Sequence, residues 1–201
     1  MKLILASSSK QRQEILKMIG LKYEVITSQV QEESKEHNPS KYVEQIALDK
    51  AKSVCEQIKE KAIIVSADTI IYCNNKKYEK PKTKEEAINN MKEVSGKKNT
   101  AYTGISIIDL YKEKTLSFST KVDVYLKSMT DEEINWYVNC EDKIFKCCGY
   151  VPLGKASIFI EKVDGDYNTL FGISPSVLFE KVKELGYDIN DFEFEKNYER
   201  W

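Results

Sequence analysis

Histidine is nearly absent: His37 is the only one among 201 residues. A His-rich metal centre is excluded, and a Ser-His-Asp triad would have to hang on a residue in a polar loop. No apolar run reaches the roughly 18 residues a spanning helix needs. The opening Met-Lys-Leu-Ile-Leu-Ala is too short for a signal-peptide core and leads straight into polar residues, so cytoplasmic residence without a membrane partner is expected. Net charge is nearly missing too, at −1, with 31 Lys+Arg against 32 Asp+Glu. A binder of polymeric nucleic acid working by bulk electrostatics needs a basic excess, so none is expected. The five cysteines, Cys55, Cys73, Cys140, Cys147 and Cys148, are odd in number and lack CxxC spacing. They read as reduced thiols rather than a disulfide framework or a zinc site. There is no glycine-rich P-loop, no repeat, no low-complexity tract and no obvious linker.

What is present can fill a core: 41% of the residues are hydrophobic and 31% charged. The length suits one domain, or two small lobes around a cleft. Residues 2–6 read as a buried strand, broken by Ser7-Ser8-Ser9. A helix with Ile15, Leu16 and Ile19 follows, stopped by Gly20. A second short strand is expected at 23–26 and a polar loop at 28–40. A long amphipathic helix spans about 40–59, with Val43, Ile46, Ala47, Ala51, Val54 and Ile58 as its stripe. Residues 62–72 are apolar nearly throughout, as in a strand covered on both faces. Thr83 with Glu86, and Thr130 with Glu133, form capping boxes opening two further helices. Between them lies a hairpin, 100–110 and 115–126, whose second arm alternates strictly. Residues 147–154 read as an irregular loop and 157–163 as a strand. Ser174 and Pro175 start a last helix. The expected fold class is α/β, a mixed twisted sheet flanked by helices.

Three places carry chemistry. Ala6-Ser7-Ser8-Ser9-Lys10-Gln11-Arg12 puts hydroxyls and two cations at a helix N-terminus, where unpaired N–H groups and the positive dipole end suit an anion. Ordinary capping by Ser9, with Lys10 and Arg12 at the surface, would use the same residues. However, cations in a first turn oppose the dipole, and a bound phosphate removes that cost. Asp68 interrupts the apolar strand, where an ionised carboxylate is costly unless it meets a cation or a metal. The alternative is a strand that bends at 66–69 and releases it to solvent. Lys50 falls near the centre of its helix's apolar stripe, either snorkelling along its stem or facing Asp68. Softer features are Glu32-Glu33 in an acidic loop, Glu79-Lys80-Pro81 before a rigid turn, and the vicinal Cys147-Cys148, which reads as inert.

The parts in order resemble the Maf family, septum-formation-inhibitor-like nucleoside triphosphate pyrophosphatases. They are Leu5-Ala6-Ser7-Ser8-Ser9 with Arg12, Glu32, Lys50-Ala51, Ser66-Ala67-Asp68-Thr69 and Glu79-Lys80-Pro81. Ser95-Gly96, Thr103-Gly104 and Gly165-Asp166-Tyr167 with Gly172 complete the series. The resemblance runs from residue 3 to about 185, leaving 187–201 as a tail. It implies a fold related to the inosine-triphosphatase type, one domain of two lobes with substrate in the cleft between them. A homodimer is also among its implications.

The implied reaction is hydrolysis of a nucleoside triphosphate to the monophosphate and diphosphate, with Mg²⁺ or Mn²⁺, as nucleotide-pool house-cleaning. Ser7, Ser9 and Arg12 then hold phosphate oxygens, and Lys50 and Lys80 neutralise developing charge. Glu32 and Asp68 hold the ion, since hard oxygen ligands suit it, and Asp68 is also the family's proton acceptor. Specificity falls to Gln11, Thr69 and Leu153, and these give a mixed vote. The family usually reads Ser-Pro-Arg-Arg where this chain has Ser9-Lys10-Gln11-Arg12. The branch acting on dTTP and UTP carries Arg at Gln11 and Gln at Leu153, but agrees at Thr69. Tyr102-Thr103-Gly104 and Asn168-Thr169-Leu170 are similar to relatives favouring 7-methyl-GTP. The rival expectation is a non-catalytic nucleotide-binding regulator of septum formation or cell shape.

Overall fold

Leu3-Ile4-Leu5 forms the first strand, β1 (Leu3–Leu5), and is buried on both faces. Its alternation divides the core. Leu3 and Leu5 enter one hydrophobic cluster, Ile4 and Ala6 another. The computed structural model describes residues 1–141, 143–147, 150–152 and 154–195. The order after β1 is α1 (Lys10–Met18), β2 (Glu24–Val25), α2 (Pro39–Cys55), β3 (Ile63–Cys73), β4 (Lys76–Tyr78) and α3 (Lys84–Val94). Then come β5 (Lys98–Asp109), β6 (Lys114–Leu126), α4 (Asp131–Cys140), β7 (Ile160–Asp164) and α5 (Pro175–Glu184). The strands bond in the order β2-β1-β3-β5-β6-β7, with β4 on β3, making a seven-stranded mixed sheet. The chain divides into two compact units. One comprises Met1–Thr69, Thr103–Thr120 and Phe171–Trp201, the other Ile70–Tyr102 and Lys121–Leu170.

In the first unit β1 runs parallel to both β2 and β3, with Leu5 opposite Val65. Parallel neighbours need crossovers, and α1 and α2 supply them. Leu16 of α1 and Leu178 and Val182 of α5 cover the face that bears Leu3, Leu5, Val65, Ala67, Ile105 and Ile107. Ala51 and Val54 of α2 cover the opposite face, with Ile4, Ala6, Ile64 and Ile108. The sheet is thus sandwiched, which explains the near-continuous apolar run of β3.

The second unit holds α3 and α4, which pack together, and the antiparallel pair β6–β7. Tyr137 of α4 is fully buried, and its hydroxyl accepts the Val151 N–H at 2.9 Å.

Three local expectations are corrected. The strand expected at 157–163 begins only at Ile160, because Gly154–Ile158 winds into a 3-10 helix. The long helix ends at Cys55 rather than near 59, since Gln57 N–H turns back to Val54 O and Ile58 N–H to Cys55 O. Thr83 accepts from the Glu86 N–H at 3.2 Å, but the Glu86 carboxylate takes the Lys82 N–H, so only half the box forms. The box at Thr130 and Glu133 is complete. Leu153, Cys148 and the last six residues of the tail lie outside the described residues.

Candidate active site

β1 stops at Leu5 while its neighbour β3 runs on to Cys73. The flank of β3 beyond Val65 is therefore bordered by the turn Ser7-Ser8-Ser9 into α1. Two clusters gather there, both within the first unit. Consecutive strand residues point to opposite faces. Thr69 therefore leaves β3 on the α1 side, with Val65 and Ala67, and Asp68 on the α2 side, with Ile64.

Arg12 occupies the third position of α1. Its Nη1 donates to Ser7 Oγ at 3.1 Å, its Nη2 to Thr69 Oγ1 at 3.2 Å and its Nε to the Gly172 carbonyl at 3.3 Å. Ser7 Oγ also accepts the Ser9 N–H at 3.2 Å. Ser9 stands at the N-cap, but its side chain makes no capping bond, so the simple capping explanation fails. The helix has no acidic residue in its first turn. The N-terminus thus keeps its positive end and adds a guanidinium to it. Gln11, beside Arg12, is half-buried on the same turn.

Gly172 is required here. Its φ of +87° lies in the left-handed region, and a Cβ added to it would fall 2.5 Å from Arg12 Nε. Sequence reasoning did not place Gly172 or Thr103 in the site. Thr103 is fully buried, with its hydroxyl 2.9 Å from that of Thr69. A hydroxyl and a glycine side by side, Thr103-Gly104, inside an apolar strand were the available signal.

On the other face, Lys50 projects from α2 and is 6% exposed. Its Nζ lies 2.8 Å from Asp68 Oδ1 and 2.8 Å from Glu32 Oε1. Neither alternative survives. β3 does not bend to release Asp68, which is also 6% exposed, and Lys50 does not snorkel to water. Burying this pair is costly, and Glu32, with a side chain 54% exposed, adds a second negative partner at its open end. The Glu32 loop is tethered to α2 by Tyr42, whose hydroxyl donates to the Glu32 carbonyl at 3.2 Å. Ser66 anchors β3 to α2 through a hydrogen bond to the Ala47 carbonyl.

The structure joins Ser7, Ser9, Arg12 and Thr69 in one network, and Glu32, Lys50 and Asp68 in the other. Lys80 is exposed in the second unit, after β4. Glu79 pairs with Lys77 at 3.0 Å rather than with Lys80. Among the described residues no group of three or more His, Cys, Asp or Glu could hold a metal ion. Asp68 and Glu32 offer two hard carboxylates, which suits an ion that completes its shell with phosphates and water. None of the helices among the described residues is long and apolar enough to cross a membrane.

The chain matches the family model described as Maf-like protein over residues 2–185. A relative from Thermoanaerobacter sp. (strain X514), named dTTP/UTP pyrophosphatase, is 39% identical over 183 residues, covering 91% of this chain and 96% of its own. One of the same name from Clostridium novyi (strain NT) is 35% identical, covering 94% and 100%. A third from Bacillus anthracis is 36% identical, covering 94% and 97%. Among solved structures, the Staphylococcus aureus Ham1 protein covers 63% of this chain and 72% of its own, with a TM-score of 0.41 and 16% identity. A HAM1 protein from Coxiella burnetii covers 63% and 73%, with a TM-score of 0.44 and 14% identity.

Proposed function

The chain belongs to the Maf-like protein family, and from that premise we propose that it hydrolyses dTTP and UTP to the monophosphate and diphosphate, clearing surplus or modified pyrimidine nucleotides. The observation that carries this reading is the juxtaposition on β3. Thr69 holds a guanidinium that can bind phosphate oxygens, and its neighbour Asp68 holds a buried ammonium with a second carboxylate behind it. A pure nucleotide binder has no use for two carboxylates opposite a polyanion. A hydrolase does, because attack at phosphorus needs a proton acceptor, and carboxylates would hold the cation that neutralises the leaving diphosphate.

In the proposed mechanism Ser7, the Ser9 N–H region and Arg12 bind phosphate oxygens at the start of α1, where the dipole adds to the guanidinium charge. Lys50 on Asp68 Oδ1 fixes the orientation of that carboxylate, so that Oδ2 takes the proton of the attacking water. Lys50 also balances charge as the α–β anhydride breaks. Asp68 and Glu32 are the residues that would hold Mg²⁺ or Mn²⁺. The ion, when bound, would polarise phosphoryl oxygens and stabilise the diphosphate. Lys80 is assigned to the leaving group by resemblance. The pyrimidine preference is taken from the relatives' names and from Thr69. Gln11 and Leu153 depart from that branch.

The test offers purified protein, with Mg²⁺ or Mn²⁺, dTTP, UTP, CTP, GTP, 5-methyl-UTP and 7-methyl-GTP, and resolves the phosphorus products. Diphosphate release is expected, fastest from dTTP and UTP, and is lost in Asp68→Asn with the circular dichroism unchanged. Preference for 7-methyl-GTP would overturn the base assignment alone. Orthophosphate release, or tight binding without turnover, would overturn the reaction.

A further inference from the structure

We propose that Thr103 is a positioning residue for Arg12, acting through the Thr69 hydroxyl. This inference rests on Arg12 binding substrate phosphate. An arginine side chain is long and loses much rotamer freedom when it is fixed, so a guanidinium meant for a planar two-pronged contact gains from being held beforehand. Here it is held at three of its nitrogens, by Ser7 Oγ, Thr69 Oγ1 and the Gly172 carbonyl. These three acceptors are neutral oxygens, which fix the plane of the group without themselves adding a negative charge to it.

Of the two hydroxyl anchors, Ser7 Oγ is steadied by the Ser9 N–H, and the Thr69 hydroxyl is steadied from β5. Thr103 lies beside it on β5, with the two hydroxyl oxygens 2.9 Å apart. Residues 103–109 of β5 are buried without interruption. In that setting valine would fill the same space without burying a hydroxyl, which is costly unless bonded. The hydroxyl at 103 is therefore poorly explained by packing and well explained by what it touches. Gly172 completes the seat, because any Cβ there would displace Arg12 Nε.

Three properties of the variants separate positioning from packing. Calorimetric binding of the α,β-imido analogue of UTP with Mg²⁺ is measured alongside KM and kcat for UTP. Thr103→Val is expected to weaken the analogue about fivefold to tenfold and to raise KM, with no loss of melting temperature. Thr103→Ser restores affinity to within about twofold. In an Arg12→Ala background Thr103→Val has no further effect, since the group it positions is gone. Unchanged affinity in Thr103→Val would overturn the proposal, as would a loss that adds to that of Arg12→Ala, or a serine no better than valine. If Thr103→Val does not fold, Thr103→Ala against Thr103→Ser makes the same comparison, the two differing only in the hydroxyl. Wild-type protein that neither binds the analogue nor releases diphosphate overturns the parent reading and this one with it. Wild-type turnover with an indifferent Thr103→Val overturns this one alone.

Discussion

Lys50 is the side chain on which the acidic cluster depends, since its single ammonium meets Asp68 and Glu32 at 2.8 Å each. The three groups differ in what their loss leaves behind. Asp68→Asn leaves Lys50 paired with Glu32. Lys50→Met leaves Asp68 buried with its charge uncompensated, and breaking a buried pair from one side costs about 3–5 kcal/mol. Lys50→Met is therefore expected to lower unfolding stability by about that amount. The double variant Lys50→Met/Asp68→Asn recovers most of it, because the buried charge is gone with its partner. Urea denaturation of the four proteins measures this, and diphosphate release should be lost in all three variants. A double variant as unstable as Lys50→Met would show that the effect is lost packing of the long stem. These residues were legible in the sequence for a physical reason. A carboxylate in an apolar strand and an ammonium in an apolar stripe are each costly alone, and meeting cancels much of the cost. Thr103 and Gly172 were harder to read, since a threonine in a strand and a glycine in a loop are ordinary until the guanidinium between them is seen.

At the scale of elements, the seat of Lys50 depends on how closely α2 approaches β5. Gly104 lies on the face that α2 covers, and a Cβ there would come within 2.2 Å of the Val43 carbonyl group. That is backbone and cannot rotate aside, so Gly104→Ala must push the helix outward. We expect about 1–3 kcal/mol of destabilisation from overpacking. Turnover should fall further than stability, because α2 carries Lys50 away from Asp68. Thermal melts and diphosphate assays at a temperature where the variant is fully folded check this, and normal turnover per folded molecule would contradict it. Such close approaches are invisible to periodicity, which finds the stripe of a helix but not its distance from the sheet. Elements with strong end signals were read well: Thr130 with Glu133, and Ser174 before Pro175, mark helices that form as expected. β4 was missed although Asn74 and Asn75, at φ 51° and 60°, make the left-handed two-residue turn that asparagine favours. The stretch before β7 was misread because an apolar run of that length fits a strand or a tight helix equally.

Across the whole molecule the 12 tyrosines report where water is kept out. Burial pushes the phenols of Tyr78, Tyr137 and Tyr150 upward. Burial, with a hydrogen bond to Asp109, raises Tyr187 to about 12. Tyr78 also donates to Glu93 at 2.6 Å, and the Tyr150 hydroxyl is buried with no hydrogen-bond partner among the described residues. A phenol is neutral when protonated. A folded pKa above the ordinary 10.0 therefore contributes stability that is whole below about pH 10 and is lost as pH rises toward the folded value. Alkaline titration followed by phenolate absorbance should show a late population. It contains Tyr78, Tyr137 and Tyr150, and ionises only as the far-ultraviolet dichroism collapses. Tyr137→Phe, which removes the hydroxyl that accepts the Val151 N–H, should reduce that population by one phenol. Ionisation of Tyr78, Tyr137 and Tyr150 near the ordinary phenol value, with the native dichroism intact, would mean that the cores around them admit water and that the burial assigned to them is wrong.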